Sequence, residues 1–194
     1  MKSQDQPATS KGASTRERIL ISARKQLVER GYEAFVMREL AESLGIKLGN
    51  LQYYFKTRES LVFHIIEAEA AKDVQAIESH LQSSDSPLDA FVSVVRDLVI
   101  RWRGSTGILF STLTALSMHN AGFRKLYRDI YVRFYAALEE IVGELNPTLP
   151  DAEIALRVRM ITSLIDGSSM QVQVGDKTRY LECVQRQAQA IAVA

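Results

Sequence analysis

The pattern of apolar and polar positions along the chain is helical from about residue 15 to the C-terminal end. Apolar residues recur at intervals of three and four in every long segment, and no segment alternates apolar with polar positions long enough to indicate a strand. Glycine, proline and helix-capping residues divide this pattern into separate segments. The sequence therefore predicts an all-α chain of about nine helices.

Capping and breaking residues predict where these helices begin and end. Ser14 and Glu17 have the spacing of a capping box, so the first helix is expected to run from about Thr15 to Arg30. Residues 1–13 ahead of it are expected to form a disordered segment. Later long helices are predicted at about 57–82, 87–103, 108–119, 120–145, 151–174 and 178–192, with a turn bracketed by Gly104 and Gly107.

The stretch from Met37 to Phe55 contains two short amphipathic segments joined by Leu44-Gly45-Ile46. Glycine can take a positive φ without a Cβ penalty, so Gly45 is expected to end the first segment. In the second segment Leu51 and Phe55 are four residues apart and are expected to dock inward. An outward polar face is then left, formed by Lys47, Asn50, Gln52 and Tyr53. This is the layout of a DNA-reading helix-turn-helix.

Charge and composition narrow the class of protein only slightly. Residues 1–60 contain 11 Lys and Arg against 7 Asp and Glu, a net charge of +4, whereas residues 61–194 carry −3, and the whole chain +1. A basic helix-turn-helix end is expected if only that end meets phosphate. The single cysteine, Cys183, excludes an intrachain disulfide. No apolar run approaches the ~20 residues of a membrane span, so a cytoplasmic protein with no membrane partner is expected.

Several motifs between residues 14 and 62 keep the order and spacing of one known family. They are Thr15-Arg16-Glu17-Arg18-Ile19-Leu20, Glu29-Arg30-Gly31-Tyr32, Leu44-Gly45-Ile46, Gly49-Asn50-Leu51-Gln52-Tyr53-Tyr54-Phe55 and Arg58-Glu59-Ser60-Leu61. In these residues the chain resembles the tetracycline-repressor (TetR) family of transcriptional regulators, and Leu164-Ile165-Asp166-Gly167 resembles a motif of its eighth helix. The resemblance implies a three-helix DNA-binding domain at residues 14–60 and a helical effector-binding and dimerisation domain at residues 61–194.

Two features depart from the family pattern. Neither short helix has the usual polar N-cap, because Phe35-Val36-Met37 and Lys47-Leu48 stand at those positions. Gln52 occupies a position that is usually tyrosine, and glutamine suits bidentate contact with adenine. The fold is unaffected by these departures, but the operator sequence cannot be carried over.

The resemblance implies which residues meet double-stranded DNA. They are Arg38, Lys47, Leu48, Gly49, Asn50, Gln52, Tyr53, Tyr54 and Lys56. The polar residues of the second helix would face base edges, and Tyr54 and Lys56 would grip phosphate, which positions the helix without reading sequence. Gly49 would permit close backbone approach. The alternative is that these residues form an ordinary solvated helix face.

The C-terminal region is expected to bind a small-molecule effector and a second copy of the chain. Trp102, Phe110, Tyr127 and Tyr131 are predicted to line a cavity for an apolar or aromatic ligand. The alternative is plain core, which is the more common role of an aromatic stripe at helical spacing. Helices 8 and 9 resemble the family's dimerisation pair, with interface candidates at Val158, Ile161, Ile165, Val184 and Ile191. Intrachain core is again the alternative.

Taken together, these features predict a ligand-responsive repressor that binds a pseudo-palindromic operator as a homodimer. One alternative is a helical adaptor whose helix-turn-helix is vestigial, and it predicts no salt-sensitive DNA affinity. Another is an all-α enzyme, but the chain has no G-x-S-x-G, no phosphate-binding glycine loop and no H-E-x-x-H. No cofactor and no metal are expected.

Overall fold

The computed structural model describes residues 8–172, 174 and 177–194, with side chains from residue 14 onward. All regular structure within these residues is α-helical, which confirms the predicted fold class. The helices are α1 (Ala8–Arg30), α2 (Met37–Ser43), α3 (Leu48–Tyr54), α4 (Arg58–Ser83), α5 (Pro87–Trp102), α6 (Ser105–His119), α7 (Ala121–Leu145), α8 (Asp151–Gln171) and α9 (Lys177–Val193). None of the described helices is both long and apolar enough to cross a membrane.

The chain divides into two compact units, one reaching to Ile66 and the other beginning at Glu67. The division falls inside α4, six residues beyond the boundary predicted at residue 60. The first unit contains α1, α2, α3 and the first part of α4. Its core is built from the apolar faces of these helices and includes Ile19, Ala23, Leu27, Phe35, Leu40, Ala41, Leu51, Phe55, Leu61, Val62, Ile65 and Ile66.

Glycines and caps end and begin the helices largely where the sequence indicates. Gly31 after α1 and Gly45 after α2 have φ values of 75° and 67°, the left-handed region that glycine enters without strain. Thr57 Oγ1 accepts from the Ser60 amide at the start of α4, and Asn120 Oδ1 accepts from the first amides of α7. No side chain caps α2 or α3, where Val36 and Lys47 stand.

Two predictions need correction. Helix α1 begins at Ala8 rather than at Thr15, so the predicted disorder does not hold for residues 8–13; residues 1–7 lie outside the described residues. Once a helix is nucleated, each further residue adds a hydrogen bond at low entropic cost, and residues 8–14 contain no proline to stop it. Gly107 lies within α6 rather than in the turn before it.

In the second unit, α5 packs against α6, α7, α8 and α9, and α7 and α8 also pack against each other. Its buried face includes Phe91, Val95, Leu98 and Val99 on α5. Because an apolar face of α5 contacts four helices, its neighbours are held around it, and a cavity remains where α5, α6, α7 and α8 meet.

Candidate functional site

The helix-turn-helix is anchored by buried side chains of α2 and α3. Leu40 and Leu51 are fully buried, and Phe55, just after α3, is 1% exposed. The Arg16 guanidinium lies 5.1 Å from the centroid of the Phe55 ring, and the His64 ring packs edge-on against it at 5.2 Å. Because Leu51 and Phe55 fix the rotation of α3, the opposite side of this helix must face solvent.

That opposite side carries the residues predicted to meet DNA. Tyr53 is 82% exposed and packs edge-on against the half-buried ring of Tyr54, with centroids 5.3 Å apart. Of the other predicted residues at or beside α3, Leu48 is half-buried and the rest are exposed, namely Lys47, Gly49, Asn50, Gln52 and Lys56. Arg38 is exposed on α2. The structure therefore presents α3 as a short helix with one anchored side and one polar side.

Three basic side chains of this surface are unpaired within the described residues. Arg38, Lys47 and Lys56 make no ion pair there, whereas Arg30 on α1 contacts Glu39 at 2.6 Å. When unpaired, solvated positive charges neutralise the phosphates of a nucleic acid, the counterions condensed on the nucleic acid are released, and this release favours binding. The electrostatics of this surface therefore suit contact with phosphate.

Gly49 is exposed on α3, and the chain's own packing does not require a glycine there. A Cβ at this position would meet no heavy atom within 4 Å, and its φ is not in the left-handed region. Glycine in a helix is less stable than alanine by about 1 kcal/mol. An external surface that approaches the backbone closely would account for the glycine.

The second unit contains a cavity of about 460 Å³ between α5, α6, α7 and α8. All four predicted effector residues line it. Trp102 stacks on Phe110 with centroids 4.4 Å apart, and Tyr127 stacks on Tyr131 at the same distance. These pairs come from three different helices, so the tertiary structure brings them into one wall. The exposed Met118 also lines this cavity.

Asp166 on α8 also lines the cavity, and it is not among the site residues predicted from the sequence. The Tyr131 hydroxyl donates to its Oδ2 at 2.8 Å, while its Oδ1 is buried and has no hydrogen-bond partner. Burial raises the pKa of Asp166 to about 6, and the Tyr131 hydrogen bond opposes that rise. Burial and the neighbouring Asp166 carboxylate both raise the pKa of the Tyr131 hydroxyl.

Two buried carboxylates on α4 hold the wall behind the aromatic pair. Trp102 Nε1 donates to Asp73 Oδ2 at 3.1 Å, and Arg101 Nε donates to Asp73 Oδ1 at 2.7 Å. Thr106 Oγ1 donates to Glu69 Oε2 at 3.1 Å. Burial raises the pKa of Asp73, and Arg101 opposes this effect. The indole is therefore fixed by a hydrogen bond as well as by packing.

The predicted interface residues on α8 and α9 are mostly inside the chain. Val158, Ile161 and Ile165 are fully buried and Val184 is 5% exposed, while Ile191 is half-buried. The physical reason is that their faces pack against α5 and α7 and against each other. Three large apolar side chains of α8 are exposed: Leu156 at 52%, Met160 at 49% and Met170 at 62%. Leu156 and Met160 are four residues apart, whereas Met170 lines the cavity.

Comparison with known families decides the class of the protein. Residues 19–65 match the model described as bacterial regulatory proteins, tetR family. Residues 103–192 match that of the BetI-type transcriptional repressor, C-terminal. Together the two matches cover well over half of the chain. The chain belongs to the TetR family. This confirms the resemblance and sets the protein among regulators rather than enzymes.

Individual relatives of this TetR-family chain agree with that result. The HTH-type transcriptional repressor KstR2 of Mycolicibacterium smegmatis is 30% identical over 80 residues, which are 41% of this chain and 39% of the repressor. The chain thus matches well under half of that relative's length. A putative transcriptional regulator from Saccharomonospora viridis, solved in complex with choline, has a TM-score of 0.74 at 19% identity, covering 92% of this chain and 95% of that one.

A TetR transcription regulator from Haloarcula marismortui has a TM-score of 0.78 at 17% identity and covers 93% of this chain and 97% of its own. At these identities the likeness concerns the fold alone. The same TetR-family fold therefore extends over both units of this chain, including the cavity-bearing one.

Proposed function

We propose that this TetR-family protein is a sequence-specific repressor that binds a pseudo-palindromic operator as a homodimer and is released by a small molecule. The observation that carries the DNA-binding part is the two-sided character of α3. Leu51 is fully buried, while Gln52 and the 82% exposed Tyr53 project from the opposite side. A recognition helix needs this combination, because its position must be fixed while its polar groups reach base edges.

The nine predicted contact residues have two roles in this proposal. Gln52, Asn50, Tyr53 and Lys47 read or border base edges, and the remaining residues hold the backbone. Glutamine can form a bidentate pair with adenine, which contributes about 1–3 kcal/mol of discrimination. Arg38, Tyr54 and Lys56 contact phosphates, with Leu48 and Gly49 at the closest approach of the helix backbone.

A homodimer is part of the proposal because one seven-residue helix reads few base pairs. We place the interface on the exposed side of α8 and α9, at Leu156, Met160 and Val193, rather than on the buried residues named from the sequence. The half-buried Ile191 can lie at its edge. Large exposed apolar side chains at helical spacing are typical of a surface that a second helix covers.

The cavity supplies the effector site in this proposal. A volume of about 460 Å³ lined by aromatic side chains is in the range of small-molecule sites. The Saccharomonospora viridis neighbour was solved with choline, and this supports the proposal that a protein of this fold binds a small molecule. The ligand acts by binding better to a conformer that cannot hold DNA, and it shifts the population by its differential affinity.

The proposal is tested by fluorescence anisotropy with a labelled duplex from the DNA flanking the gene and a scrambled duplex, over a salt series. Tighter binding to the flanking duplex is expected. Gln52→Ala should lower that preference, by about 1–3 kcal/mol at one base pair, whereas Lys56→Ala should weaken both duplexes equally and reduce the salt slope by about one.

Lys125→Ala is the matched control, because Lys125 is an exposed lysine on α7 whose ion pair, among the residues described, is with Asp129. It should leave both affinities unchanged. Equal losses on both duplexes for Gln52→Ala would refute its role as a reader. No salt-sensitive binding to either duplex would favour a helical adaptor instead.

A further inference from the structure

The cavity of the second unit has two features that an apolar ligand does not explain. The first is the number of aromatic faces around it. Trp102 and Phe110 form one stacked pair and Tyr127 and Tyr131 the other. The face of an aromatic ring carries negative charge density, so aromatic rings around a desolvated space attract a cation as well as apolar groups.

The second feature is the carboxylate of Asp166. Its Oδ2 accepts from Tyr131, but its buried Oδ1 has no partner, and no lysine or arginine is among the described residues that line the cavity. A buried carboxylate without a counterion or a full set of donors is costly and is rare in a native structure. A neutral apolar ligand would leave this cost in place, because it brings neither a charge nor a donor.

We propose that the cavity binds an organic ammonium cation, with the positive group beside Asp166 and against the tyrosine pair, and an apolar or aromatic remainder against Trp102 and Phe110. The ligand supplies the charge that Asp166 lacks. This refines the proposed function by naming the chemical class of its effector, and it rests on that proposal only in taking the cavity as the effector site.

The test compares two probes of the same shape and different charge. The cation is benzyl(2-hydroxyethyl)dimethylammonium, and its neutral isostere is 3,3-dimethyl-4-phenylbutan-1-ol, in which carbon replaces nitrogen. Binding to the full chain without DNA is measured by calorimetry and by the fluorescence of Trp102, the single tryptophan. At pH 8 the cation should bind at least about ten-fold more tightly, as expected for a desolvated cation on aromatic rings.

Asp166→Asn keeps the shape of the side chain and removes its charge, so it should abolish most of this preference. Asp129→Asn is the matched control, because Asp129 is a carboxylate on α7 that pairs with Lys125 and does not line the cavity. It should bind both probes as the wild type does. Equal affinity for the two probes, or an undiminished preference in Asp166→Asn, would overturn the proposal, as would binding of neither probe at 10 mM.

A pH comparison on the wild type keeps the test open if Asp166→Asn does not fold. The quaternary ammonium has a fixed charge, so any loss of its binding reports on the protein. Among the described residues, the ionisable groups that act on Asp166 or on its tyrosine neighbours are Tyr127, Tyr131 and Tyr135, whose pKa values are all raised, and Arg159, whose positive charge acts on Tyr135. With the pKa of Asp166 at about 6, affinity for the cation should fall by about ten-fold from pH 8 to pH 5, while affinity for the isostere should not. A cation affinity that does not change would refute the role of Asp166.

The two proposals can fail separately. Charge-dependent probe binding with no DNA affinity would refute the repressor and leave the ligand class standing. Specific DNA binding with no preference for the cation would do the reverse.

Discussion

Replacing Asp166 with asparagine should stabilise the ligand-free protein at neutral and basic pH. The magnitude follows from the displaced titration of this carboxyl. Its pKa is raised from 3.8 to about 6 in the folded chain. A difference of one pKa unit corresponds to about 1.36 kcal/mol, so the ionised carboxylate costs the fold up to about 3 kcal/mol at pH 8.

The direction in which stability changes with pH follows from the number of protons that the folded and unfolded states bind. Because the folded pKa of Asp166 lies above the unfolded one, the folded state binds more protons between pH 4 and pH 6. The contribution of Asp166 to stability is therefore fully present below about pH 4 and is lost as the pH rises through about 6. Asp166→Asn removes this dependence and can still accept from the Tyr131 hydroxyl. We expect Asp166→Asn to raise the free energy of unfolding by about 1–3 kcal/mol at pH 8, and we expect this increase to be about 2 kcal/mol smaller at pH 4.5.

Denaturant unfolding followed by tryptophan fluorescence measures this gain. Trp102 is the single tryptophan and lies in the cavity wall, so its signal reports on the second unit. Protein concentration must be held constant, since dimerisation would stabilise the folded state by mass action. Asp129→Asn is again the control, and it should change stability in the opposite direction at pH 8, because Lys125 lowers the pKa of Asp129. Equal or lower stability of Asp166→Asn at pH 8 would refute the account of Asp166 as an uncompensated buried charge.

Three further substitutions test other parts of the structure. Gly49→Ala should keep or raise stability by up to about 1 kcal/mol yet weaken operator binding about ten-fold, measured by unfolding and anisotropy; unchanged DNA affinity would contradict the close approach. Gly107→Ala should destabilise the second unit by about 1–3 kcal/mol in Trp102 fluorescence, because its Cβ would lie 1.9 Å from the Trp102 carbonyl oxygen. Leu156→Glu should give a monomer in light scattering, whereas Val132→Glu, at an equally exposed apolar site on α7, should not; an unchanged dimer would exclude this face of α8.

The sequence was sufficient for features that depend on neighbours within one or two helical turns. The spacing of Leu51 and Phe55 predicts which side of α3 is buried, because an α-helix repeats every 3.6 residues and its local pattern sets the face. Gly45 likewise marks the end of α2, since its positive φ is a property of the residue itself. The outward placement of Lys47, Asn50, Gln52 and Tyr53 follows from the same local pattern, and their exposure agrees with it. The other residues predicted for DNA contact rest on the resemblance to the TetR family.

Features that depend on distant partners could be anticipated only as residue types. The aromatic residues of the central helices suggested a cavity, and the structure brings four of them into one wall. Periodicity alone could not tell core from interface on α8. The periodicity marks an apolar face at Val158 and Ile161, but only the packing of α5, α7 and α9 against α8 shows that this face is buried within the chain.

Asp166 shows most clearly the difference between what the sequence determines and what only the tertiary structure decides. Its place in the Leu164-Ile165-Asp166-Gly167 motif is visible in the sequence, but its chemistry is not. Tyr131, which bonds one carboxylate oxygen, lies 35 residues away on α7. The sequence by itself determined the helices of the described residues and the two-sided character of α3, because those properties are local. Only the tertiary structure decided that one carboxylate stands among aromatic rings with an oxygen unpaired, because desolvation and the absence of a counterion depend on every helix around it.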